Sequence, residues 1–320
     1  MHMDSETYAT PREMDRVNVD PIVELQSPDG CAVVGLCDVG KVREENQDYF
    51  CHIHKNGGHL LVVSDGMGGH NGGWEASHLV VEACQQALEE WDDALSPMHL
   101  LSDCVQLANT KILERASIEP ELEGMGATFV GIFVRDGKAW TANLGDSRSY
   151  LVRGKEVERL SRDHSRVGMM VEAGLLTEEA ARKHPLSNVL EMALGVDDFV
   201  APEMCTKPLD LEQGDRLLLC SDGLWGLLQE EEIRLFGEKE GPKEVCQQGM
   251  DLALERGGTD NITILMLDFK REMTSLESVS DPKEPTRNRA NLMVWELILA
   301  AVILTCVGFT WVALRMQQSY

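Results

Sequence analysis

Hydrophobic positions follow three patterns along this chain. Short greasy runs stop on polar, glycine-bearing phrases, as in "HLLVVSDG" ending at Gly66 and "LLLCSDGLWG" ending at Gly226. Two longer stretches, 74–92 and 98–116, repeat apolar residues at helical spacing and predict helices packed on a sheet. From Leu297 to Leu314 no charged residue occurs.

The first greasy run belongs to a hairpin. Asn56-Gly57 between strand-like runs predicts a two-residue turn. In that register Lys55 pairs with Gly58, and Asp48 falls opposite Asp65, whereas a Gly57-Gly58 turn or a bulge would shift the pairing. Directly opposed side chains share a face, about 5 Å apart at Cβ, so two like charges there need something positive between them. A second block, "GATFVGIFV" to "EVERLS", reads as a three-stranded antiparallel meander with Asp146 inside its middle strand. Residues 162–195 fit no strand, contain helical runs such as "EEAARKH", and read as a mobile excursion. A strand then ends at Asp222, a helix-rich stretch runs to Arg256, and a last strand starts at Asp260. If those two strands are antiparallel neighbours, both aspartates stand on one sheet edge.

The expected organisation is a polar N-terminal extension at 1–29, one α+β domain at 30–269, a linker at 270–291, a transmembrane helix at 292–314 and a short tail at 315–320. The linker is charged, rich in Ser, Pro and Thr, and aperiodic. The apolar segment reaches the roughly 20 residues that span a bilayer, with Trp295 and Trp311 near its ends. Lys283, Arg287 and Arg289 precede it and Arg315 follows. The positive-inside rule then places the bulk of the chain in the cytoplasm, as a single-pass protein of the inner (cytoplasmic) membrane. No N-terminal signal peptide is visible.

Charge and cysteine usage narrow the chemistry. With 54 acidic against 29 basic residues the net charge is -25. Nucleic-acid binding rests on basic patches and is excluded as a function class. Nine cysteines without a CxxC pair argue for a reducing compartment, against a disulfide framework and against a thiolate zinc site.

Asp48, Asp65, Asp146, Asp222 and Asp260 are the candidate metal ligands. Hard carboxylate oxygens favour magnesium or manganese over zinc. Gly66 and Gly223 let the backbone turn sharply beside two of them, and Arg43 has the fork to grip a phosphate. Any single Asp-Gly is ordinarily a turn, and a lone arginine is ordinarily a surface charge. The joint pattern departs from that expectation.

The ordered set "DVGKVREENQD", "VVSDGMGGH", "GATFVGIFV", "NLGDSR", "LLLCSDGLWG" and "GGTDNITIL" resembles the bacterial form of the metal-dependent Ser/Thr protein phosphatases, the 2C-like class, over roughly residues 30–269. The resemblance implies a four-layer α-β-β-α sandwich with two central antiparallel sheets and metals at one edge. It implies Asp48, Asp65, Asp222 and Asp260 around a core pair of Mn2+ or Mg2+ ions, with a carbonyl from Gly66. Asp146 would hold a third, weaker metal and Arg43 would bind phosphate. A metal-bridging hydroxide would attack phosphorus in line, on phosphorylated protein substrates of a Ser/Thr kinase.

Some positions depart from the family pattern. Met67 occupies the slot of a candidate acid histidine, and Trp74 replaces an acidic residue. Ser187 and Glu191-Met192 replace an arginine and a Thr-Arg pair after the flap. His70 receives no catalytic role. Two other classes compete: a catalytically weak binding module that keeps the fold, and an Asp-rich calcium-binding protein. The second lacks a DxDxDG loop.

Overall fold

The computed structural model describes residues 6–8, 22–27, 29–238 and 241–270. The expected transmembrane helix and the tail lie outside the described residues, as does the linker beyond Lys270. No helix among the described residues is long and apolar enough to cross a membrane.

In chain order the strands are β1 (Glu6–Tyr8), β2 (Ile22–Gln26), β3 (Ala32–Asp38), β4 (Asp48–Lys55), β5 (Gly58–Met67), β6 (Gly126–Ala127) and β7 (Phe129–Arg135). They continue as β8 (Lys138–Leu144), β9 (Arg148–Arg153), β10 (Glu156–Arg159), β11 (Glu203–Met204), β12 (Leu209–Asp210), β13 (Arg216–Cys220) and β14 (Ile262–Asp268). The helices are α1 (Gly69–Glu90), α2 (Pro97–Ile118), α3 (Arg166–Glu172), α4 (Glu178–Arg182), α5 (Asp222–Trp225), α6 (Glu230–Arg234) and α7 (Pro242–Glu255).

Two antiparallel sheets form. The first runs β1-β4-β5-β7-β8-β11, with β6 on β5 and β12 on β8; the second runs β10-β9-β13-β14-β3-β2. Helices α1 and α2 pack together, with α1 against β4 and β5, while α7 lies on β3 and β14. This is the α+β sandwich of the sequence expectation.

The greasy runs have a physical cause. A strand covered on both faces has no polar side to present, so its sequence reads as a continuous apolar run. In β13, Leu217 and Leu219 join the core shared with the first sheet, whereas Leu218 and Cys220 join the core beneath α7. β14 alternates the same way, with Leu265 and Leu267 on one side and Ile262, Ile264 and Met266 on the other.

The hairpin register is as the turn predicts. Lys55 pairs with Gly58, and Asp48 stands opposite Asp65. Asn56 and Gly57 both have positive φ, 52° and 73°. That is the turn geometry whose twist matches two flanking strands.

Two expectations change. The supposed middle strand of the meander is two strands in different sheets: β8 pairs with β7, whereas β9 pairs with β10 and β13. The chain crosses between sheets at Gly145-Asp146-Ser147, where Gly145 takes φ 109°. The polar lead also contributes strands, since β2 pairs with β3 and β1 with β4. Both are edge strands, which need fewer apolar residues than central ones. Residues 162–195 form α3 and α4 and return along the domain through bridges from Leu190 to Ser165 and from Leu194 to Ala127.

Candidate active site

Every candidate aspartate stands where a strand meets a loop or helix at one end of the sandwich. Asp48 opens β4, Asp65 lies near the end of β5, and Asp146 occupies the crossing between the sheets. Asp222 opens α5 just after β13, and Asp260 stands just before β14. β13 and β14 are antiparallel neighbours, so both of these aspartates do reach one edge.

A cavity of about 720 Å³ gathers Asp65, Asp146, Asp222 and Asp260 with Arg43, Gly66 and Met67 on its walls. Asn188 and Leu190, from the returning 162–195 segment, close another side. Asp48 is not on the cavity wall but beneath it, at 1% exposure. One of its carboxylate oxygens accepts hydrogen bonds from the Ser221 hydroxyl at 2.6 Å and the Thr263 hydroxyl at 2.8 Å. These two hydroxyls orient the carboxylate, and nothing in the sequence pattern singled them out.

The backbone around the site is close-packed. A side chain on Gly66 would place its Cβ 1.9 Å from the Gly73 carbonyl oxygen, and one on Gly223 would sit 1.9 Å from the Asn261 carbonyl oxygen. Neither space admits a methyl group. Gly66 donates its N–H to the Gln47 carbonyl at 3.0 Å, which fixes the end of β5 against the start of β4. Asn261 fastens the other side: its amide donates to the carbonyls of Val39 and Glu45, and its oxygen accepts from the Gln47 N–H. The loop that carries Arg43 is thereby held against the start of β14. Asn261 was also missed in the sequence; its place beside Asp260 in "TDN" was the available signal.

Electrostatics decides what this site can hold. Among the described residues lining the cavity, Arg43 is the one cation, set against Glu44, Glu45 and four aspartates. Arg43 is half-exposed and bonds Asp260 at 2.8 Å. Burial, then the charges of Asp222 and Asp260, push the Asp48 carboxyl up to about 7, against its hydroxyl partners. Burial and the Asp260 charge raise Asp222 to about 6, against Arg43. Burial, compounded by neighbouring carboxylates, raises Asp65 and Asp146 well above the usual carboxylate range. Asp222 lies within hydrogen-bonding reach of Asp65, yet its buried Oδ1 has no partner among the described residues. An orphaned buried carboxylate oxygen is costly unless a cation or proton meets it. An all-oxygen donor set with that deficit fits magnesium or manganese.

Comparisons with known proteins give the family. A family model described as protein phosphatase 2C matches residues 41–246. The chain belongs to the protein phosphatase 2C family. The family's members are Ser/Thr protein phosphatases, and this chain is an enzyme of that kind. It is 34% identical over 241 residues to protein phosphatase PhpP of Streptococcus pneumoniae, covering 74% of this chain and 97% of that protein. Serine/threonine phosphatase Stp1 from Staphylococcus aureus superposes with a TM-score of 0.70 at 30% identity, covering 78% of this chain and 98% of the other. The catalytic domain of serine/threonine protein phosphatase PstP, solved with two manganese ions, superposes with a TM-score of 0.66 at 31% identity, over 74% of this chain and 97% of its own.

Proposed function

We propose that this chain hydrolyses phosphoserine and phosphothreonine in proteins, with Asp48, Asp65, Gly66, Asp222 and Asp260 around two manganese or magnesium ions and Asp146 beside a third, weaker one. The observation that carries the reading is the partnerless Oδ1 of Asp222 within a cluster of carboxylates whose affinity for protons is raised. Bound cations supply Lewis acidity toward a phosphoryl oxygen and make a water acidic.

The chain's own groups do the rest. The carboxylates fix the cations, and the Ser221 and Thr263 hydroxyls hold Asp48 in one orientation. Arg43 presents a forked cation at the cavity mouth, with one of its five N–H donors engaged by Asp260. The remaining donors suit two oxygens of a phosphoryl group. Positive charge placed where the transferring group becomes most negative is what such a reaction needs. Because each expected carboxylate position carries an aspartate, and Gly66 is present for its carbonyl, catalysis is favoured over a binding module that merely keeps the fold.

The reading extends to location and partners. The charge-free run at 297–314, with basic residues mostly before it, supports a single-pass anchor that leaves the catalytic domain in the cytoplasm. Substrates are then phosphoproteins made by a Ser/Thr kinase near that membrane.

The test uses the full chain in detergent on a phosphothreonine peptide, with manganese, with magnesium or with chelator, beside Asp222→Asn. Loss of several kcal/mol of charge stabilisation predicts a fall of about 10²–10³-fold in kcat/KM for the variant, and no turnover in chelator. Turnover that survives both treatments sinks the mechanism. Recovery of the full chain in the aqueous fraction without detergent sinks the anchor.

A further inference from the structure

A second set of metal-type ligands lies at the opposite end of the sandwich. β5 runs from Gly58 at that end to Asp65 at the cavity, and β3 from Ala32 there to Asp38. The turn before β3 carries Asp29 and Cys31, while His59 is the second residue of β5. One ligand atom from each of the three lies within 4.8 Å of the other two. Nε2 of His59 and Oδ2 of Asp29 are hydrogen-bonded at 2.7 Å, a bond that a cation between them would replace. Cys31 and His59 are each 1% exposed, whereas the Asp29 side chain is 40% exposed, so the cluster has one open side.

The ligands are held in place from outside. Oδ1 of Asp29 accepts from the Ser27 hydroxyl and from the Cys31 N–H, which turns Oδ2 toward His59. Nδ1 of His59 is 2.9 Å from Nε2 of His52, another fully buried ring. The His52 ring stacks on that of His59, with centroids 5.2 Å apart. Its Nδ1 has no hydrogen-bond partner among the described residues. The second nitrogen of a metal-ligating histidine is usually fixed by a carboxylate, a carbonyl or a water; here the His52 imidazole takes that place.

We propose that Asp29, Cys31 and His59 bind a zinc-class divalent cation. A thiolate, an imidazole and a carboxylate suit zinc, whereas the aspartate centre suits magnesium or manganese. The absence of a CxxC pair spoke against a thiolate site in the sequence; here the sulfur and the nitrogen come from different sheets. The cation takes the place of the Cys31 thiol proton, because the ligand is the thiolate. With the cation on Nε2, His59 carries its proton on Nδ1 and donates it to Nε2 of His52. A water on the open side completes four-fold coordination. The cation ties the β2–β3 turn of one sheet to the start of β5 in the other. None of this depends on the catalytic reading.

The test titrates the full chain with cobalt(II) while excess magnesium occupies the oxygen-ligand centre. The expected result is a thiolate-to-cobalt charge-transfer band in the near ultraviolet that saturates at one equivalent and is bleached by zinc. Oxygen ligands alone cannot produce it. Cys31→Ala abolishes the band, and His52→Gln weakens cobalt binding about 10–100-fold through the outer partner. No band in the unaltered chain, or a band that survives Cys31→Ala, overturns the proposal. Should the buried variants fail to fold, Asp29→Asn on the open side decides: about tenfold or weaker binding supports the site, and unchanged binding overturns it.

Discussion

Thr263 and Ser221 reach Asp48 across 215 and 173 positions of sequence. Their hydroxyls occupy one carboxylate oxygen and leave the other for the metal side. Thr263→Val removes one donor and keeps the shape of the side chain. Outer-shell partners of this kind are worth about 10–100-fold in metal affinity, so the manganese concentration for half-maximal activity rises by that factor. Thr263→Ser restores it. A variant whose manganese requirement is unmoved would show that Asp48 needs no such support. At this scale the sequence was informative wherever local chemistry set the position. Asp48 could be placed opposite Asp65 because the Asn56-Gly57 turn fixes the pairing. Ser221 and Thr263 could not be found, because what makes them matter is long-range strand pairing.

Elements differ in how they depend on glycine. Gly57 holds φ 73° in the hairpin turn with open space around it, so Gly57→Ala meets only backbone strain. That costs about 1–2 kcal/mol in urea unfolding and leaves activity unchanged. Gly223 has ordinary φ but no room, since an added Cβ lies 1.9 Å from the Asn261 carbonyl oxygen. Gly223→Ala forces the start of α5 away from β14, costs about 1–3 kcal/mol, and also weakens manganese activation because Asp222 moves with it. Equal effects of the two substitutions on the manganese requirement would contradict this division. The paired strands β13 and β14 were legible because both faces of each are buried and the apolar runs are unbroken. The β8–β9 break was not legible. Alternation continues through "TANLGDSRSYLV" in the sequence, and tertiary packing decides which sheet each half joins. There Trp225 donates its ring N–H to the Asp146 carbonyl at 2.9 Å, and Arg148 lies 3.6 Å over the Trp225 ring.

The whole molecule carries the cost of the acidic cluster. Without metal, native Asp48 and Asp222 hold protons up to about 7 and about 6, against a usual value of 3.8. Between those limits the native state binds more protons than the unfolded chain. The cluster's contribution is therefore fully present below pH 3.8 and is lost as pH rises through 6 and 7. Cations replace the protons, so manganese stabilises more at pH 7.5 than at pH 5; at pH 7.5 a hundredfold excess over its Kd stabilises by about 2.7 kcal/mol. Thermal unfolding in chelator and in manganese at both pH values reads this directly. A manganese gain that is the same at both would contradict the cluster as its source.

β14 lies between β13 and β3 in the middle of its sheet, yet it follows every other described strand in the chain. Domains generally fold as units during synthesis. A nascent chain that stops short of β14 therefore has two exposed strand edges where its sheet should close, and lacks both Asp260 and the Thr263 hydroxyl. It can neither complete its sheet nor assemble its catalytic centre. The order of the strands thus acts as a clock. A chain that ends before β14 is therefore expected to lack phosphatase activity until its last strand has been made.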